Sequence, residues 1–141
     1  MSDKKILVVD DELHITQILA FKLQKAGLAV VTANDGEEGV RLACEHLPDL
    51  IVSDYQMPVV NGFELAKHLY SDAATAHIPI LMLTGRVHKL SPSELAKTNI
   101  QALLAKPFSA REVLAKVEEL IGLLRSESTN AKSNFRGMAA A

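Results

Sequence analysis

Five short aliphatic runs punctuate the chain, at residues 6–9, 28–32, 50–53, 80–83 and 101–104. Each is too short for a helix and is bounded by polar or turn-forming residues. Each therefore reads as a strand, and the run at 50–53 as a buried one. Between the runs, apolar residues recur at helical spacing, and several of these segments open with start signals. In Ser91-Pro92-Ser93-Glu94 a serine cap precedes a proline at the first helical position, and the glutamate three residues after the cap completes a capping box. Ser109-Ala110-Arg111-Glu112 repeats the box. Asp35-Gly36-Glu37-Glu38 opens a further helix, with Val40, Ala43 and Leu47 set toward a core. The last helix carries Val113, Val117, Leu120, Ile121 and Leu124 on one face.

Regular strand–helix alternation predicts an α/β fold, a doubly wound parallel sheet covered by helices on both faces. Right-handed crossovers leave few topologies. The expected one is flavodoxin-like, (βα)5, with strand order 2-1-3-4-5. The patterned region reads as one domain over residues 1–125. Residues 126–141 are polar and small, without a periodic apolar face, and read as a flexible tail.

Composition narrows the function. With 141 residues and 48% hydrophobic content, the chain is long enough for one real core. A formal charge of −2 gives no general attraction to nucleic acid or to an anionic membrane. No apolar run approaches the length that spans a bilayer. Cys44 is the only cysteine, so no intrachain disulfide forms, and its place in the second helix reads as a small core position. The opening Met1-Ser2-Asp3-Lys4-Lys5 lacks a signal-peptide pattern. The expectation is a cytoplasmic protein with neither a nucleic-acid nor a membrane partner.

The chemistry lies at the strand ends. Asp54 closes the third run and is followed by Tyr55-Gln56-Met57-Pro58, whose proline forces the chain out of the strand. Asp10 and Asp11 close the first run. Open α/β sheets place ligand crevices at the carboxyl ends of their strands. If strands 1 and 3 are neighbours, three acids converge there and need a positive partner. Ligation by oxygen alone suits Mg²⁺. Thr84, at the end of strand 4, supplies a hydroxyl, and Lys106, at the end of strand 5, an ammonium. A carboxylate nucleophile, a hard cation, a hydroxyl and a lysine form a set for making an aspartyl phosphate. Each residue alone has a plainer reading: a cap for Asp11, a turn for Asp54, a loop lysine, a hydroxyl satisfying the backbone. Capping, however, does not require threonine and lysine at the other strand ends. His14, His46, His68, His77 and His88 show no metal-ligand spacing and read as surface or half-buried side chains.

At these residues the chain resembles the receiver domain of the bacterial response-regulator family, the phosphoacceptor half of two-component signalling. The resemblance rests on Val8-Val9-Asp10-Asp11-Glu12, Ser53-Asp54-Tyr55-Gln56-Met57-Pro58, Asn61-Gly62, Leu83-Thr84-Gly85 and Lys106-Pro107-Phe108, and covers roughly residues 4–124. It implies that Asp54 takes a phosphoryl group from a histidine of a sensor histidine kinase or a histidine phosphotransfer protein. It implies Mg²⁺ held by Asp10, Asp11, Asp54 and the backbone carbonyl of Gln56. Thr84 then resembles the switch hydroxyl, and Lys106 the lysine that pairs with the acceptor or its phosphate. The family couples these shifts to the surface of helix 4, strand 5 and helix 5, where partners dock.

Three departures stand out. Leu103 occupies the position usually held by the aromatic switch residue. Gln56 and Arg86 occupy positions that tune phosphate lifetime in the family. Thr98-Asn99-Ile100-Gln101 replaces the usual Gly-Ala turn before strand 5. A haloacid-dehalogenase-type phosphatase is disfavoured, because Asp54-Tyr55-Gln56 lacks that family's second aspartate. The expected function is thus a stand-alone phosphoacceptor switch and not a turnover enzyme, limited to Mg²⁺-dependent self-phosphorylation and slow self-dephosphorylation. A receiver-like scaffold that acts independently of phosphate is the alternative, and homodimerisation stays open.

Overall fold

The aliphatic runs become the five strands of one parallel sheet: β1 (Lys5–Val9), β2 (Ala29–Ala33), β3 (Leu50–Asp54), β4 (Ile80–Thr84) and β5 (Ile100–Ala105). Their order is β2-β1-β3-β4-β5, the expected one among the topologies that right-handed crossovers leave. The structure is a computed structural model and describes residues 4–85 and 90–129. Five helices connect and cover the strands: α1 (Leu13–Lys25), α2 (Gly36–His46), α3 (Gly62–Tyr70), α4 (Pro92–Leu95) and α5 (Ala110–Thr129).

The period-2 pleat divides the core in two. Ile6, Val8, Leu50, Val52, Leu81 and Leu83 face Leu19 and Leu23 of α1 and Val113, Val117, Leu120 and Ile121 of α5. Leu7, Val9, Ile51, Ile80 and Met82 face Ala43 of α2 and Leu65, Ala66 and Leu69 of α3. Burial on both faces is why β3 and β4 carry unbroken aliphatic sequence. Each such side chain contributes about 1.5–3 kcal/mol on burial.

The start signals form the expected bonds. Asp35 accepts from the Glu38 amide at 2.7 Å, and Ser91 and Ser109 make capping boxes with Glu94 and Glu112. Asn61 and Glu64 make another at the head of α3. α4 is a single turn, because its last amides bond three residues back: Lys97 to Glu94, Thr98 to Leu95. The Thr98 hydroxyl then donates to the Leu95 carbonyl and accepts the Ile100 amide, steering the chain into β5.

Two core expectations need correction, and one boundary differs. Leu47 is 53% exposed, since it caps α2 in the left-handed conformation (φ 46) instead of continuing the helix. Cys44 is exposed too. α2 buries Gly36, Gly39 and Ala43, and Cys44 lies the next ~100° around the helix, outside that stripe. α5 runs to Thr129, four residues past Arg125, because Ser, Glu and Thr there do not stop a helix already packed on the sheet. The remaining tail, the Leu124 side chain, Arg86 and His88 lie outside the described residues.

Candidate functional site

Strand alternation positions the site. Asp54 ends β3 on the same pleat as Leu50 and Val52, and Asp10 follows β1 on the pleat of Ile6 and Val8. β1 and β3 are direct neighbours, with Val9 opposite Ser53. Asp10, Asp11 and Asp54 accordingly converge, and carboxylate oxygens of all three lie within 4.8 Å of one another. Asp10 and Asp54 are buried and Asp11 is exposed.

The plainer reading of Asp11 as a helix cap does not hold. Glu12 is the residue before α1, and its side chain makes no cap bond. Asp10 instead accepts the Glu12 amide at 2.9 Å, which fixes its carboxylate in the turn. On the other wall, Lys106 Nζ stands 2.6 Å from Asp54 Oδ1. Apart from that ammonium, the buried oxygen has no hydrogen-bond partner among the described residues.

Electrostatics follow from crowding. Burial pushes the Asp10 carboxyl up to about 6, the Glu12 amide pulls it back, and the Asp54 charge adds to the rise. Burial also raises Asp54, against the pull of Lys106 through its hydrogen bond and charge. Three acids and one ammonium leave a net negative pocket. The donor set fits a hard divalent cation such as Mg²⁺, which takes oxygen ligands and keeps part of its water.

The loop after β3 completes this edge. The Tyr55 amide donates to Leu83 of β4, and the Gly62 amide donates to the Tyr55 carbonyl, both at 2.8 Å. Gly62 is required by contact: a Cβ there would stand 2.5 Å from the Asp54 carbonyl oxygen and 2.6 Å from Met82 Sδ. Gln56 is exposed beside Asp54, and no hydrogen bond to its carbonyl is found among the described residues.

Thr84 is buried at the end of β4, one position beyond Leu83, the register partner of Asp54. It shares strand parity with Ile80 and Met82. The structure thus gathers Asp10, Asp11, Asp54 and Lys106 at the carboxyl edge, and Thr84 ends the strand that lies between Asp54 and Lys106. Leu103 is half-buried against that same second core.

Sequence reasoning passed over the cleft on the α1 side of the acids. It measures about 430 Å³ and is lined by Asp10, Glu12, Ile15, Lys106, Pro107 and Phe108. Only the adjacency of β1 and β5 loops with α1 creates it, so no local signal marks it. The Lys106–Pro107 bond is cis, and Phe108 packs on the first core.

Comparison with known proteins agrees with this geometry. The family described as response regulator receiver domain matches residues 6–118. The chain is 39% identical over 134 residues to the alkaline phosphatase synthesis transcriptional regulatory protein PhoP of Bacillus subtilis, covering 95% of this chain and 54% of that regulator. It therefore spans about half the length of the curated relatives it matches. Among solved structures, the Vibrio cholerae chemotaxis protein CheY4 superposes with a TM-score of 0.77 at 35% identity, over 84% of this chain and 98% of that one. The receiver domain of the sensor histidine kinase PA1611 from Pseudomonas aeruginosa, with a magnesium ion coordinated in its active site cleft, gives a TM-score of 0.75 at 25% identity over 86% and 99%. The chain belongs to the response-regulator receiver-domain family.

Proposed function

We propose that Asp54 is the phosphoacceptor of this receiver domain, and the observation that carries this is its pairing with Lys106 inside the acidic cluster. A receiver domain is a signalling phosphoacceptor of a two-component system. An Asp54 carboxylate oxygen attacks the phosphorus of a donor phosphohistidine. The new O–P bond forms, the N–P bond breaks, and the imidazole leaves with a proton. Lys106 keeps Asp54 ionised beforehand and faces the phosphoryl oxygens afterwards.

Asp10, Asp11, Asp54 and the Gln56 carbonyl are the residues that would hold Mg²⁺. When bound, the ion offsets the charge of the acids and of the transferred phosphoryl group. Thr84 meets the phosphoryl group through its hydroxyl, and its movement links the site to the α4 and β5 surface. The donor is a sensor histidine kinase or a histidine phosphotransfer protein, and the output is a protein contact made in the cytoplasm. None of the described helices is long and apolar enough to cross a membrane.

Intact mass after incubation with acetyl phosphate tests the assignment. A single phosphoryl adduct is expected with Mg²⁺, none with a chelator, and none on Asp54→Ala. Persistent labelling of Asp54→Ala would refute it.

A further inference from the structure

Two strands end the sheet, β2 on one side and β5 on the other. An edge strand offers its amides and carbonyls to any chain that can pair with it, and charge, proline or a bulge usually blunts it. β5 is blunted, because its ladder with β4 breaks register between Ile80 and Leu81. β2 is not. Its residues Ala29–Ala33 pair with Lys5–Val9 in unbroken register, and nothing from Ala26 to Asn34 is charged or a proline. The Ala29 amide donates to the Lys4 carbonyl and the Ala33 carbonyl accepts the Asp10 amide, so these residues bond inward, toward β1. By alternation Val30 and Thr32 turn their amides and carbonyls outward, and among the described residues no other element bonds to them.

Charge at the two ends selects the occupant. Lys22 and Lys25 precede the uncharged stretch in the last turn of α1, and Asp35 and Glu37 follow it. α1 packs over β2, and its flank on this side is neutral too. Ile15 lines the cleft beside Phe108, and roughly half a turn round the helix from it lie Gln17, Ala20 and Gln24. An antiparallel copy sets the basic end of each β2 against the acidic end of the other, whereas a parallel copy opposes like charges. We propose that β2 is a self-association edge, to which a second copy of this chain adds its own β2 antiparallel, five strands continuing into five. Val31 lies opposite itself on the two-fold axis, and Val30 and Thr32 of each copy exchange about four hydrogen bonds with Thr32 and Val30 of the other. Lys25 and Glu37 each lie six positions from Val31, so the axis brings the Lys25 end of one copy to the Glu37 end of the other. The contact uses neither the acidic pocket nor β5, so it needs no phosphoryl group.

Sedimentation equilibrium of the full chain without any phosphodonor reads the association directly. A dimer with a dissociation constant of roughly 10–100 µM is expected, as suits a small interface. Thr32 is exposed, so Thr32→Lys charges the edge without entering the core. It should weaken association about tenfold or more while leaving circular dichroism and the melting curve of the dilute protein unchanged. Lys25→Glu should weaken association about threefold at low salt, and adding Glu37→Lys should restore it. In a Cys44→Ser background, Val31→Cys should oxidise to a cross-linked dimer, because residues facing each other on the axis stand about 4.5 Å apart at Cα. A chain that stays monomeric at roughly 500 µM overturns the proposal. So does a dimer that Thr32→Lys leaves intact, that the charge swap fails to restore, or that forms only with acetyl phosphate.

Discussion

Lys106 Nζ reaches Asp54 Oδ1 at 2.6 Å across an entire intervening strand, because β4 lies between β3 and β5. Neighbouring strands are about 4.8 Å apart, so the two backbones are separated by roughly two such spacings. Only a long flexible side chain spans that distance, and its cationic end then meets a buried acid. The pair thereby ties the edge strand to the centre of the sheet at the carboxyl end.

Lys106→Met should expose the cost of that acid. With chelator at pH 7.5, the variant should unfold with about 1–2 kcal/mol less stability, a figure kept low because a third of the lysine side chain is exposed. At pH 4 the loss should shrink, since burial raises the Asp54 carboxyl and more of it is then neutral. Urea unfolding at both pH values checks this, and an equal loss at both would show that packing and not charge is responsible.

Asp10 makes metal-free stability fall as pH rises. Its folded carboxyl sits at about 6 against an ordinary 3.8, so the folded state binds more protons in that window. Its favourable contribution is therefore complete below about pH 4 and lost as pH passes through 6, at most ~3 kcal/mol. Asp10→Asn keeps an acceptor for the Glu12 amide. It should be more stable than the unchanged chain at pH 7.5 in chelator and equal to it below pH 4. A constant difference across that range would contradict the linkage.

Mg²⁺ should raise the unfolding midpoint by the mass-action term, about 2.7 kcal/mol at a hundredfold excess over Kd. Asp11→Asn should abolish most of this effect while leaving the chelator-treated midpoint within about 0.5 kcal/mol, because Asp11 is exposed. Thermal melts with and without Mg²⁺ read both numbers. A large loss in chelator would mean that Asp11 has a structural task.

Gly62→Ala should cost about 1–3 kcal/mol, since its Cβ would press on the Asp54 carbonyl, Met82 and Tyr55. Acetyl phosphate labelling should slow as well, because the same contact shifts the backbone of Asp54. Normal labelling in a destabilised variant would separate the packing role from the site.

Much of this was legible in order along the chain. Aliphatic runs and capping boxes are local signals, so the strands and the helix starts at Asp35, Ser91 and Ser109 could be read directly, while chirality narrowed the strand order to a few topologies. Leu47 and Cys44 could not be read correctly. Their exposure depends on where α2 stops and which ~100° sector faces the sheet, and neither is set by residue type. Nor does any local rule announce the positive φ of Val59 (φ 68), since propensity argues against it in a valine; there the Val60 amide donates to the Pro58 carbonyl.

The sequence by itself determined the chemical inventory at the carboxyl edge: three acids, a hydroxyl and a lysine, each placed by the end of an aliphatic run. Tertiary structure decided how they meet. Pairing of β1 with β3 gathers Asp10, Asp11 and Asp54. Pairing of β3 with β4 sets Thr84 one position beyond Leu83, the register partner of Asp54. The reach across β4 assigns Lys106 to Asp54. The reason is physical: residue type fixes what a side chain can do, while strand register and pleat parity, set by long-range packing, fix which groups it does it to.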